Sequence, residues 1–184
     1  MVGATYLDEE ELVARAVQRD GEAFGRLYER YYDRVYTYIY YRIRPEAEAS
    51  DLAAQVFLNA WRAIERYQPT GAPLLAWLLR IAHNLVTDHH RRRRDSVTLD
   101  FDIEDRRSDY SPEALTERMM TKEELHRALR RLPEEHQQVL LLRFVEGLGH
   151  SEVARLLGKS EGAVRTIQYR ALLGLRGKLE AAPA

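Results

Sequence analysis

The 184-residue sequence has no cysteine, which excludes disulfides, thiolate metal sites and a cysteine nucleophile. It also has no long apolar run. The longest, Leu74–Leu79 and Val139–Leu142, are closed by Arg80 and Arg143, well short of the ~20 residues that span a bilayer. Met1–Glu11 is acidic and lacks the basic-then-apolar order of a secretory signal, so a soluble, cytoplasmic protein is expected. Glycine and proline are scarce, at 10 and 6 residues. No stretch alternates apolar and polar residues for long enough to make a sheet. What is left is a helix-forming chain, 45% hydrophobic, with enough apolar surface to pack real cores.

Catalytic patterns are missing as well. His89-His90 has too few partners for a metal site. There is no Ser/His/Asp arrangement, no phosphate-cradling glycine loop and no paired-carboxylate site. The expectation is a protein that is not an enzyme and needs no cofactor or metal.

The formal net charge is only -1, but the charges are segregated. From Arg80 to Arg94 five arginines face one acid, Asp88, for a net +4. From Asp95 to Glu124 ten acids outnumber four bases, for -6. From Arg155 to Lys178 six bases face Glu161 alone, for +5. Two basic patches around an acidic middle are the electrostatic footprint of a nucleic-acid binder, and a merely solvated surface does not predict that alternation.

Apolar periodicity predicts an all-α fold of two small helical domains joined by an acidic, flexible linker. The first helix should open at Asp8 as N-cap, with acids in its first turn, and break at Asp20-Gly21. A second, about 22–44, carries Phe24, Leu27, Tyr31, Val35, Tyr38 and Ile39 on one face and stops before Pro45. A third, about 47–66, turns Leu52, Ala53, Val56, Phe57, Ala60 and Ile64 inward. Its polar stripe holds Asp51, Gln55, Asn59, Arg62 and Arg66. After the loop QPTGAP, a fourth helix runs to about Arg92 with Leu74, Trp77, Leu78, Ile81 and Leu85 toward the core. These four helices make a domain over 1–94, followed by a linker over 95–111. Helices resume at Ser111-Pro112-Glu113 and fill a second domain over 112–184.

The string GHSEVARLLGKSEGAVRTIQYRALLGLR carries the most specific local signal. A short apolar-faced helix is followed by Gly158, suited to a left-handed turn, and by Ser160 as the next N-cap. In the second helix Val164, Ile167 or Gln168, Ala171 and Leu175 point inward. Glu161, Arg165, Thr166 and Tyr169 point outward from its first turns, with Arg170 beside them. This is a helix-turn-helix, whose second helix enters the DNA major groove. Arg165 suits guanine, Thr166 and Tyr169 suit bases or phosphates, and Arg170 a phosphate. By itself the motif fits a repressor, an activator or a sigma factor equally.

The N-terminal half is more discriminating. SDLAAQVFLNAWRAI and PLLAWLLRIAHNLVTDHHRRRR, in that order before the helix-turn-helix, resemble the extracytoplasmic-function group of the sigma-70 family. The resemblance runs from about Glu11 to Leu179. It implies a promoter-reading subunit of RNA polymerase, with the β′ and β subunits of the core enzyme and promoter DNA as partners; an anti-sigma factor is left open. It implies that Asp51, Leu52, Gln55, Val56 and Asn59 belong to the polymerase-binding helix, with Leu52, Val56, Phe57 and Trp61 at packing positions. It further implies that Arg80, His83, Asn84, Thr87, Arg91 and Arg92 meet the -10 element as single strand, Asn84 taking a flipped base. Ser160, Glu161, Arg165, Thr166, Tyr169 and Arg170 would meet the -35 duplex. Many members carry a glutamine–glutamate pair where this chain has Ala54-Gln55, so one negative charge is missing there, and Gly149 replaces a frequent serine cap. Trp77 and the tyrosines of YERYYDRVYTYIYY read better as packing than as stacking platforms. The rival function is a stand-alone helix-turn-helix regulator.

Overall fold

The computed structural model describes residues 8–43, 45–68, 73–97 and 122–180. Among them all regular structure is helical. The order is α1 (Glu9–Val17), α2 (Gly21–Tyr40), α3 (Glu46–Ala63) with a 3-10 turn (Ile64–Arg66), α4 (Leu74–Val97), α5 (Lys122–Arg130), α6 (Glu134–Leu140) with a π turn (Leu141–Val145), α7 (His150–Leu157) and α8 (Glu161–Glu180). Most of the QPTGAP loop, the linker beyond residue 97 and the helix start expected at Ser111 lie outside the described residues.

The breaks between helices are held by specific atoms. Asp20 Oδ1 accepts from the amides of Glu22 and Ala23 at 2.9 and 3.1 Å, and Oδ2 accepts from Arg15 Nε at 2.8 Å. The Ala23 amide and then Arg15 hold this carboxyl below its ordinary range. Arg19, just before it, takes a left-handed φ of 65°, unusual for a side chain with a Cβ. Its guanidinium is pinned by Glu65 at 2.6 Å and the Trp61 carbonyl at 2.8 Å. Asp8 does stand at the N-cap of α1, but its side chain caps no amide; the acids of the first turn serve the helix dipole instead. α2 is shorter than the periodicity suggests. It ends at Tyr40, where the Arg42 amide reaches back only three residues, to Ile39, in the tighter turn that precedes Pro45. α4 is longer, reaching Val97, because neither glycine nor proline interrupts it.

The inward faces of α2 and α3 hold Leu27, Tyr31, Val35, Tyr38, Ile39, Ala53, Val56, Phe57, Ala60 and Ile64, all buried, whereas Phe24 and Leu52, also expected inward, are only partly covered. α4 departs from a single apolar stripe. Leu74 and Leu78 are buried, but so are Leu75, Leu79, Ala82 and Val86, while Trp77, Ile81 and Leu85 are only partly covered. α4 has more than one neighbour, packing on α2 and α3 and also on α7. The buried cluster therefore continues into Leu129, Leu132, Val139–Leu142, Val153, Leu156, Val164 and Ala171.

Gly158 ends α7 at φ 66°, ψ 37°, and nothing lies within 4 Å of where a Cβ would sit. The constraint there is backbone conformation alone. Gly158→Ala is expected to lower unfolding free energy by about 1 kcal/mol, read by chemical denaturation. An unchanged midpoint would mean that the turn relaxes without cost.

Candidate nucleic-acid and polymerase-binding surfaces

On α8 the polarity of the two faces follows the sequence pattern. Val164 and Ala171 are fully buried. Gln168 is an inward polar residue, accepting from Arg143 Nε at 3.1 Å and lying 3.1 Å from His150 Nε2. Ser160 Oγ accepts from the Ala163 amide at 3.1 Å, which caps the N-terminus of α8. Ser160, Glu161, Arg165, Thr166, Tyr169 and Arg170 are all exposed. Tyr169 keeps 65% of its surface accessible, far more than a packing role would leave. Arg165 is 3.7 Å from Glu161 across one helical turn, and Thr166 Oγ1 donates to the Gly162 carbonyl at 3.0 Å. The first turn of the pair is fixed by Gly149, whose amide donates to Glu152 Oε2 at 2.6 Å.

On α4, Arg80, Asn84, Thr87, Arg91 and Arg92 are exposed. Spacings of three and four place Arg80, Asn84, Thr87 and Arg91 along one strip. Arg91 is held 3.0 Å from Asp88. His83 is not on the open strip. It is half-buried and shares a cleft with Thr87, Glu134, Glu135, Gln138, Leu157 and Lys159. Burial, reinforced by Arg42 and Arg80 and opposed by Glu134, lowers its pKa to about 4. Trp77 packs on Tyr67, ring centres 4.9 Å apart, beside a second cleft that brings Arg66 and Arg80 opposite Glu152, Arg155 and Leu156.

On α3, Asp51 is exposed, while Leu52, Gln55 and Asn59 are partly so. Gln55 Nε2 donates to Asn59 Oδ1 at 2.7 Å, so the two amides form one surface unit. Val56 is fully buried and supports this face from beneath. The tyrosines divide. Tyr31 and Tyr38 are core, whereas Tyr28, Tyr32, Tyr36 and Tyr40 form a ladder with ring centres 5.1–6.0 Å apart, its upper end against Phe57.

Sequence reasoning missed the charged pairs that join the two halves. Arg34 Nε lies 3.0 Å from Glu146 Oε2, and its Nη2 donates to the Glu146 carbonyl at 2.6 Å. Arg42 Nη2 donates to Glu134 Oε1 at 2.7 Å, and its Nη1 to the Tyr38 hydroxyl at 2.7 Å. The partners are 112 and 92 residues apart, so no local spacing announces them. His126 of α5 sits between the Tyr40 and Tyr41 rings, at 5.0 and 5.1 Å.

Comparison with known proteins identifies the frame. The family Sigma-70 region 2 matches residues 27–96, and Sigma-70, region 4 matches residues 122–174. The ECF RNA polymerase sigma factor BldN of Streptomyces coelicolor is 43% identical over 164 residues, covering 88% of this chain and 62% of BldN. The RNA polymerase sigma-H factor of Pseudomonas aeruginosa is 30% identical over 177 residues, covering 91% of each. SigD of Mycobacterium tuberculosis is 36% identical over 141 residues and is 66% covered, so the chain spans just under two thirds of the length of BldN and SigD. Among solved structures, CnrH in complex with the cytosolic domain of CnrY superposes with TM-score 0.72 at 25% identity, over 95% of this chain and 99% of CnrH. RpoE in complex with the anti-sigma factor NepR, from Bartonella quintana, gives the same TM-score at 18% identity, over 87% of this chain and 98% of RpoE, a likeness of fold. The chain belongs to the extracytoplasmic-function sigma factors of the sigma-70 family.

The lowered pKa of His83 has a definite sign. The packed state favours the neutral ring, so its contribution is intact above the ordinary value of about 6.5. It is lost progressively as pH falls from 6.5 toward 4. Stability measured by denaturant between pH 7.5 and 5 should fall less steeply in His83→Gln than in the parent. Equal slopes would show that His83 remains hydrated.

Proposed function

We propose that this chain is a non-catalytic initiation factor that brings core RNA polymerase to specific promoters. The exposed face of α3, with Asp51, Leu52, Gln55 and Asn59 over buried Val56, docks on the β′ subunit. The α4 strip, Arg80, Asn84, Thr87, Arg91 and Arg92 with His83 at its margin, holds the -10 element as an opened strand. The α8 tip, from Ser160 to Arg170, reads the -35 duplex, and the acidic stretch after α4 follows the polymerase toward β. The observation that carries this reading is the pairing, in one chain and in family order, of an exposed polar strip on α4 with an exposed polar face at the start of α8. CnrH and RpoE are each described in complex with a protein partner, which supports an anti-sigma factor as a further partner.

The α4 residues argue against a stand-alone regulator, because such a protein reads duplex DNA through its helix-turn-helix, commonly as a dimer on a palindrome. Transcription from a randomised promoter library by core polymerase, with and without the chain, decides between them. The chain should select a small set of bipartite promoters. Tight sequence-specific duplex binding by the chain alone, unaltered by core enzyme, would favour the regulator. In the same assay Asn84→Ala should retain polymerase binding but open linear promoters poorly, and a pre-melted -10 region should not restore full activity, because the flipped base has lost its partner.

Arg165→Ala should cost about 1–3 kcal/mol of -35 affinity and relax preference at one or two base pairs. Scoring all single-base variants of the recovered -35 site measures this. An equal loss on every variant would reduce Arg165 to a phosphate contact.

A further inference from the structure

Between Arg155 and Lys178 six bases stand against one acid, Glu161, and that acid sits on the edge of α8 proposed to meet the -35 duplex. It is the first residue of the helix, directly after the Ser160 cap, and it is exposed, as are Gly162, Arg165 and Thr166. A carboxylate there repels phosphate, so on charge alone it weakens every duplex the helix could approach. Its structural duties are light. Ser160 Oγ already takes the Ala163 amide, and the Ser160 carbonyl takes the Val164 amide, which leaves Glu161 only a modest helix-dipole contribution.

The link from Glu161 to Arg165 is also loose. Its oxygen and nitrogen are 3.7 Å apart, and the two side chains keep 52% and 62% of their surface exposed. At that distance there is no hydrogen bond to break. Thr166 Oγ1 donates back to the Gly162 carbonyl at 3.0 Å. The Thr166 donor is therefore spent, and Gly162 offers no side chain to a base.

The chemistry of the base edges decides what a carboxylate can take. It only accepts hydrogen bonds. In the major groove only cytosine N4 and adenine N6 donate, while guanine N7 and O6 and thymine O4 are acceptors that repel it. Adenine N6 stands beside the N7 acceptor, which opposes a second negative oxygen, whereas cytosine presents its N4 donor alone. Arg165, one turn on, suits guanine O6 and N7. Four residues of helix rise about 6 Å, just under two base steps of about 3.4 Å.

We propose that Glu161 is the cytosine reader of α8, accepting from N4 of a cytosine within about two base steps of the guanine taken by Arg165. The inference rests on reading α8 as the partner of the -35 element, and it names part of that element's sequence. Because the same carboxylate repels phosphate, it penalises every duplex that lacks the cytosine. Selectivity rises at the expense of general affinity.

The test uses holoenzyme assembled from the full chain and core polymerase, scored on all single-base variants of the -35 site and on a scrambled site. In the parent one position should require cytosine, close to the guanine whose preference Arg165→Ala relaxes. Glu161→Ala should lose the cytosine preference, by about tenfold, and bind the scrambled site up to about fivefold better. Glu161→Gln should exchange cytosine for adenine at that position, since an amide pairs with adenine N6 and N7 together. A helix-dipole role alone would produce no such exchange. A cytosine preference unchanged in Glu161→Ala, or an equal change on every site, overturns the inference and leaves the -35 reading standing. A parent with no base preference anywhere in the -35 site would overturn the proposed role of α8, and this inference with it.

Discussion

A 24-residue helix that is buried toward α2 and α3 on one flank and toward α7 on another leaves only a narrow polar strip. That constraint on α4 organises the rest of the molecule. It places Leu75, Leu79, Ala82 and Val86 in one continuous buried cluster. It also explains why His83, adjacent to Asn84 in sequence, sits in a desolvated cleft while Asn84 is open. Two neighbouring positions on one helix have opposite dielectric surroundings because a second body lies along one side of the helix and not the other.

The contacts between the halves are chemically mixed. Apolar burial there is accompanied by two ion pairs and by His126 held between two tyrosine rings. Apolar packing alone is tolerant of sliding, whereas a guanidinium bonded to a carboxylate and to a backbone carbonyl, as at Arg34, fixes one register. Arg42 is more constrained still, lying 5.3 Å from the Tyr38 ring centre while bonding its hydroxyl and Glu134. Burying such ion pairs adds little net stability, so their contribution here is to the register of the two halves.

Much of this was legible from residue order. The helix-turn-helix was readable because its signals are local: Gly158 in the left-handed region, Ser160 bonding the Ala163 amide, Val164 and Ala171 inward. The inward faces of α2 and α3 followed from periodicity for the same reason. What failed depended on partners distant in sequence. Asp8 resembles a cap by type, yet Asp20 does the bonding, because only there does the chain reverse so that two amides converge on one carboxylate. Val56, read as inward from periodicity, does lie beneath the polar face of α3. The tyrosines could not be assigned as a group, since the helix turns some inward and stacks the rest along its flank. No pattern in the sequence couples Arg34 to Glu146.

The 112 residues between Arg34 and Glu146 also set a clock. Synthesis proceeds from the N-terminus at about 5–20 residues per second, so Arg34 is joined to the chain roughly 6–22 seconds before its partner. The first four helices are complete once Val97 is made, roughly 2–7 seconds before α6 begins at Glu134, and over that interval α4 has no α7 to pack on. The newborn N-terminal half therefore has to hold its fold before the helices that cover α4 have been made.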